Sequence, residues 1–218
     1  MRPVELSSAV LRLDAPHDVD ALRVFEHCQD PVMPEYLARL PWPYRLADAT
    51  EFVSGYVPAA WADDQECTWA VREPSSPELL GVISLSVPVG AGSESSSGSE
   101  SGSGSGLESG SGSGLRASSI GFWLGPEYRG RGLMVEAQRL VLDWGFSTGL
   151  CDTVNWECVA GNLASARAAR KAGFRYTGQG PAGIAYRDGT HPPSWKAVLH
   201  ATDDRTPPAG WPAEVVGA

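Results

Sequence analysis

The chain lacks more than it offers at first sight. No apolar run approaches the roughly 20 residues of a membrane span. The start, MRPVELSSAVLRL, has no block of apolar residues of the kind that marks an export signal, so a cytoplasmic protein is expected. Its four cysteines (Cys28, Cys67, Cys151 and Cys158) fall in no Cys-x-x-Cys or Cys/His ligand spacing. That pattern predicts reduced thiols and no bound metal. Basic residues are few: 17 Lys and Arg against 26 Asp and Glu give a formal charge of −9. A nucleic-acid surface needs clustered cations, so that class of partner is not expected. The acidity either keeps the protein soluble or favours a basic partner such as a ribosomal-protein tail.

What is present is enough for one core. The 218 residues are 42% hydrophobic, with eight Trp, six Tyr and five Phe. A single domain is expected over residues 1–200, followed by a Pro-rich tail at 201–218 that should be loosely held. Residues 90–116 stand apart as an almost pure run of Gly, Ser and Glu. Such a run cannot bury enough apolar surface to offset its ordering entropy, so a flexible loop between two strands is expected. Loop closure costs little more as a loop lengthens, and a sheet tolerates the insertion.

Elsewhere strands and helices alternate. Strands are expected at Val10–Leu13, Cys67–Arg72, Leu79–Val87, Ser119–Leu124, Thr153–Val159, Phe174–Thr177 and Ser194–His200. Helices are expected at Asp18–Gln29 (Leu22 and Phe25 on the apolar face), Asp48–Ala62, Leu133–Thr148 and Asn162–Ala172. Asp48, with Glu51 three residues on, reads as an N-cap, and Pro58 as a kink or stop in that helix. Asp188-Gly189 marks a turn before the last strand. The order predicts an α/β fold with a mixed sheet.

The chemistry lies between a strand and an amphipathic helix, in Gly125-Pro-Glu-Tyr-Arg129-Gly130-Arg131-Gly132-Leu133-Met134. Gly130 and Gly132 allow the backbone to turn tightly and expose successive N–H groups. The helix start adds unpaired N–H groups and the positive end of its dipole. Arg129 and Arg131 add positive charge, which makes a pyrophosphate the natural ligand. A Walker A loop is excluded because Leu133 and Met134 follow Gly132 where Lys and Ser/Thr are needed, and a dinucleotide fingerprint because Val135 replaces its third glycine.

The loop resembles the acyl-CoA signature of the GNAT N-acetyltransferase superfamily, Arg/Gln-x-x-Gly-x-Gly/Ala, read here as Arg129-Gly130-Arg131-Gly132-Leu133-Met134. Met134 departs from the family's small residue and is similar to the RimJ/RimL-like branch of ribosomal-protein N-terminal acetyltransferases. Downstream, Asn162-Leu-Ala-Ser165 followed by Lys171-Ala-Gly173-Phe174 looks like the family's closing element, and Pro41-Trp42-Pro43-Tyr44 with Asp48-Ala49 and Phe52-Val53 resembles the branch's N-terminal part. The resemblance covers roughly Val10 to His200 apart from the insert. It implies a GNAT fold: a central sheet of about six to seven strands, splayed in the middle and flanked by about four helices. It also implies acetyl-CoA as acyl donor, its pantetheine arm pairing with the backbone of Phe122, Trp123 and Leu124. Asn162 would hydrogen-bond that arm. Lys171 would reach a phosphate or lie on the surface.

Transfer to an amine needs a neutral nucleophile, an oxyanion donor and a proton for sulfur. Many relatives carry a Tyr seven residues after the motif Asn, where Ala169 stands here. Ser165 matches the RimJ/RimL pattern and is the candidate proton relay, unless it only caps its helix. Many relatives also carry a Glu before the Gly-aromatic-Trp of the strand; Ser119 or Ile120 takes that place, leaving Glu157 as the candidate base or a solvated charge. A weak base suits a weak acceptor: an α-amine titrates near 7.7–8.0, a lysine near 10.4, so only the former is appreciably neutral at pH 7. Trp42, Tyr44 and Tyr186 are expected along an acceptor cleft, and His191 on the surface. The reading is an acetyltransferase of protein or peptide N-termini, monomer or homodimer, without metal, nucleic acid or membrane partner. A small-molecule N-acetyltransferase and a catalytically silent acyl-CoA-binding module are the alternatives.

Overall fold

Alternation along the strands decides which side chains meet. In β3 (Glu66–Arg72), Cys67, Trp69 and Val71 join one hydrophobic cluster, while Ala70 joins another on the opposite face. The computed structural model describes residues 1–88 and 116–217, so the expected Gly/Ser-rich insert lies, except for Arg116, outside the described residues.

Among the described residues eight strands form one sheet in the order β1-β2-β3-β4-β5-β6-β8-β7. The remaining strands are β1 (Leu6–Ser7), β2 (Arg12–Asp14), β4 (Gly81–Ser86), β5 (Ala117–Leu124), β6 (Thr153–Val159), β7 (Arg175–Pro181) and β8 (Pro193–His200). The strand beyond the expected count is β1, a two-residue edge antiparallel to β2. Every pairing is antiparallel except β5 with β6.

That parallel pairing stops early. β5 meets β6 only at Ala117–Thr153, Ser118–Val154 and Ser119–Asn155. Beyond Ser119, β5 stays paired with β4 as far as Leu124, and β6 stays paired with β8 as far as Val159. The sheet therefore opens between Ile120–Leu124 and Trp156–Val159.

Helices cover both faces. The seven among the described residues are α1 (Ala21–Cys28), α2 (Met33–Tyr36), α3 (Leu46–Thr50), α4 (Val57–Ala62), α5 (Leu133–Ser147), α6 (Leu163–Lys171) and α7 (Ala213–Val216). Val24, Cys28, Tyr44, Ala49 and Val53 bury the face carrying Ala70 and Val82. On the other face Trp61, Trp69 and Trp144 meet edge to face, with Trp61–Trp69 and Trp69–Trp144 centroids 5.2 and 5.3 Å apart. The fully buried Arg72 ties β2, β3 and the entrance of α1 together, its Nε 2.7 Å from Asp14 and its Nη2 2.6 Å from Asp20. No helix among the described residues is long and apolar enough to cross a membrane.

Several local expectations shift. The first helix begins with a 3-10 turn at Asp18–Asp20, and its buried face is Ala21, Val24 and Cys28, leaving Leu22 56% exposed. Arg45, not Asp48, precedes the first turn of α3. Asp48 reaches back from the third helical position to accept from the Arg45 N–H at 2.7 Å. The expected single helix to Ala62 passes through a π turn at Glu51–Tyr56 before α4. Pro58 lies in the first turn of α4, where its missing N–H breaks the regular ladder and a wider turn absorbs the mismatch.

The tail is held more firmly than its Pro content predicts. Trp211 is buried, packs on Trp156 and Tyr176 with centroids 5.5 Å away, and donates its indole N–H to the Phe174 carbonyl at 3.0 Å. A large aromatic with its polar tip satisfied outweighs the local lack of helix or strand propensity.

Candidate active site

The opening between β5 and β6 is the mouth of a cavity of about 480 Å³. Three sets of residues line it: β5 and the loop into α5, the end of β6 with one face of α6, and the stretch around α2.

At the first wall, Gly130 and Gly132 both adopt left-handed backbone, with φ of 75° and 79°. A Cβ added at either would meet no heavy atom within 4 Å, so the loop presents bare backbone to open space. Gly132 precedes the first turn of α5, a helix of 15 residues. The N–H groups of Leu133 and Met134 have no acceptor within that helix. Such groups could hold an anion. The two arginines beside them both have carboxylate partners. Arg129 donates to the Leu124 carbonyl at 3.0 Å and pairs with Asp30 at 2.7 Å, and Arg131 pairs with Glu73 at 2.9 Å. Arg129 lines the cavity as a brace; Arg131 is not among its lining residues.

The entry of that loop is fixed from behind. A Cβ on Gly125 would sit 2.2 Å from the buried His27 ring, so only glycine allows the approach. The His27 Nε2 lies 3.1 Å from the Leu79 carbonyl, and its ring meets Trp123 and Tyr128 edge-on. Burial holds the imidazole below its ordinary titration range. Arg23 donates to the Glu127 carboxylate at 2.6 Å and to the Tyr128 hydroxyl oxygen at 2.8 Å.

On the second wall Asn162 caps α6, its amide oxygen accepting from the Ser165 N–H at 3.2 Å. The cap occupies the oxygen and leaves the amide NH2 as the group available to a ligand. Asn162, Ser165 and Lys171 all line the cavity, together with Phe122, Trp123 and Leu124 from β5. Ser165 thus lies at the cavity, while the cap itself belongs to Asn162. The Ser165 hydroxyl is beside the Cys158 thiol, which burial pushes up to about 12 with the hydroxyl drawing it partly back. Glu157 also lines the cavity, with Oε1 accepting from the Gly183 N–H at 2.8 Å and Oε2 3.6 Å from Lys196 Nζ.

The acceptor aromatics are not where the sequence reading puts them. Tyr44 is buried in the core beside Cys28, and Trp42 is 46% exposed; neither lines the cavity. Tyr186 does not line it either, but its hydroxyl donates to the Tyr36 carbonyl at 3.2 Å and so holds a residue that does. Proline-rich spacing around Trp42 gives no periodicity that separates a core aromatic from a cleft aromatic. The residues missed are Val32, Met33, Tyr36 and Leu37, from a stretch read only as a connection. Ala164 and Ala168 were also missed, although their spacing along α6 with Lys171 marks one helical face of small residues.

The comparisons with known proteins agree with this geometry. A family model described as an acetyltransferase (GNAT) domain matches residues 10–175. The chain belongs to the GNAT acetyltransferase family. No curated protein matches it by sequence. Among solved structures, this GNAT chain is similar to a Salmonella typhimurium acetyltransferase said to modify the N-terminal serine of ribosomal protein L7/L12. The TM-score is 0.68 at 15% identity, covering 90% of this chain and 99% of the other. Mycobacterium smegmatis RimJ with CoA-disulfide gives a TM-score of 0.66 at 18% identity, covering 92% of this chain and 86% of that one. The microcin C7 self-immunity acetyltransferase MccE, with acetyl-CoA and AMP, gives 0.68 at 14%, covering 88% and 93%. At such identities the likeness establishes the fold, and the family model establishes the acyltransferase class. Among the described residues no group of three His, Cys, Asp or Glu side chains is placed to hold a metal ion.

Proposed function

We propose that this GNAT enzyme transfers acetyl from acetyl-CoA to the α-amine of a protein or peptide N-terminus. The observation that carries the reading is the open seam of the sheet, flanked at one end by the glycine cradle and at the other by Glu157 and Ser165. The donor fits what is there. Bare N–H groups at Gly130–Met134 suit a pyrophosphate, and the unpaired edge of β5 beyond Ser119 suits a pantetheine amide. The Asn162 amide NH2 faces the same arm. Bound in this way, acetyl-CoA supplies an activated thioester carbonyl.

The chain's own groups do the rest. Gly183 and Lys196 orient the Glu157 carboxylate, which attracts the acceptor ammonium and accepts its proton. Ser165 donates toward the departing sulfur from the first turn of α6. Positioning supplies much of the rate, because an α-amine already presents roughly a tenth of its molecules neutral at pH 7. The named action of the Salmonella neighbour on an N-terminal serine supports a protein acceptor. The small-molecule reading rests on MccE, whose structure holds AMP.

The test is thiol release from acetyl-CoA with three acceptor sets: peptides with free N-termini, N-blocked peptides bearing a lysine, and small drug-like amines. Release confined to free N-termini, and lost in Asn162→Ala, is the expected result. Release confined to small amines transfers the assignment to the second reading. Tight acetyl-CoA binding with no release from any amine refutes both.

A further inference from the structure

The acceptor end of the cavity has a wall of one character. Val32, Met33, Tyr36 and Leu37 all reach it, whereas the charged residues of the same stretch, Glu35 and Arg39, are exposed and do not line it. Met33 is 4% exposed. The same cavity is lined by one carboxylate, Glu157, whose Oε1 accepts from the Gly183 N–H and whose Oε2 lies 3.6 Å from Lys196 Nζ.

The wall is also clamped at both ends. Asp30 accepts from the Val32 N–H at 3.1 Å and pairs with Arg129 of the cradle loop. At the far end the Arg187 guanidinium donates to the carbonyls of Pro34 and Leu40, each at 3.0 Å, and Tyr186 donates to that of Tyr36. Four contacts hold the stretch from Asp30 to Leu40 against the hairpin loop and the cradle loop, and the Val32 N–H bond to Asp30 stiffens it internally. Held in this way, the wall offers an entering side chain the Tyr36 hydroxyl as its one polar tip among Val32, Met33, Tyr36 and Leu37.

We propose that the enzyme selects α-amines borne on a residue with an apolar side chain, with Val32, Met33, Tyr36 and Leu37 forming the side-chain subsite. The inference rests on the N-terminal acetyltransferase reading. A polar first residue entering this subsite gives up hydration and finds at most the Tyr36 hydroxyl as a partner, whereas an apolar one gains contact with Val32, Met33 and Leu37. The ammonium is served separately by Glu157, so the two parts of the acceptor are recognised by different chemistry. Discrimination by an apolar pocket runs at roughly ten-fold or more per missing methylene.

The test uses the full-length protein, saturating acetyl-CoA and hexapeptides that differ only at the first residue: Leu, Met, Phe, Ser, Gly and Asp. Leu-, Met- or Phe-first peptides should exceed Ser- and Gly-first ones by about ten-fold or more in kcat/KM. Asp-first should be the poorest. Leu37→Asp should remove that preference while acetyl-CoA affinity, measured by calorimetry, stays as in the parent. Val32→Thr keeps the shape of the wall, adds one hydroxyl, and should narrow the preference by a few-fold. Equal or better turnover of Ser- or Asp-first peptides overturns this inference and leaves the enzyme an N-terminal acetyltransferase. Acetyl-CoA binding without turnover of any peptide overturns the underlying reading, and the inference with it.

Discussion

The two ends of the cavity are built in opposite ways. The end proposed for the pyrophosphate comes from one unbroken run, Leu124 to Met134, where two glycines in left-handed conformation leave backbone N–H groups bare. The end proposed for the acceptor is lined by the stretch around α2 and the end of β6, both braced from behind by the loop between β7 and β8. Its shape depends on side chains such as Arg187 and Tyr186 that grip distant carbonyls. A site made of local backbone is robust to change elsewhere. One stitched together by long side chains is easily retuned, which suits the end that chooses the substrate.

Substitutions can separate the two ends. The largest effect is expected at their meeting point: Ser165→Ala should lower kcat by about 100-fold, in line with loss of a general acid. Acetyl-CoA affinity should hold, because the Asn162 cap accepts from the Ser165 backbone and survives the change. A fall in donor affinity instead would make Ser165 part of the binding wall. Next comes Gly132→Val, which puts a β-branched residue at a φ of 79° with its Cβ in the cradle. Acetyl-CoA binding should weaken by about 30-fold, close to 2 kcal/mol, as read by calorimetry. Arg187→Ala frees two carbonyls of the acceptor stretch, so acceptor KM should rise by roughly five-fold with donor affinity unchanged. If donor affinity falls as much, the two ends are one unit and the comparison fails.

The smallest effect concerns His27 behind the cradle. Its folded titration point lies below the ordinary value near 6.5 because burial disfavours the cation. Between the two values the unfolded chain binds the extra proton, so the stability it contributes is present above about 6.5 and lost as pH falls through the lowered folded value. Urea unfolding should show this as a slope of at most about 1.4 kcal/mol per pH unit. His27→Gln should flatten that part of the profile.

The same contrast explains what the sequence made legible. Gly130 and Gly132 take their left-handed turns and Asn162 its cap from the local chain, so a short motif places them. The order of strands and the break between Ile120–Leu124 and Trp156–Val159 also followed the family resemblance. What the sequence does not display depends on distant partners. Arg129 and Arg131 read as unpaired cations until Asp30 and Glu73 are brought beside them. Tyr44 looks like a cleft aromatic until Cys28 and Ala49 enclose it. The tail looks loose until Trp211 finds Trp156 and Tyr176. In each case a contact across tens of residues decides the role, and no local pattern encodes it.

The short pairing of β5 with β6 has a mechanical consequence. Three residue pairs at one corner are all the ladder that joins the two plates of the sheet. A molecule lying along the open edge bridges them and carries load that a continuous sheet would take in its own backbone. Heat resistance should therefore report occupancy, the melting point climbing with the logarithm of acetyl-CoA concentration above its Kd.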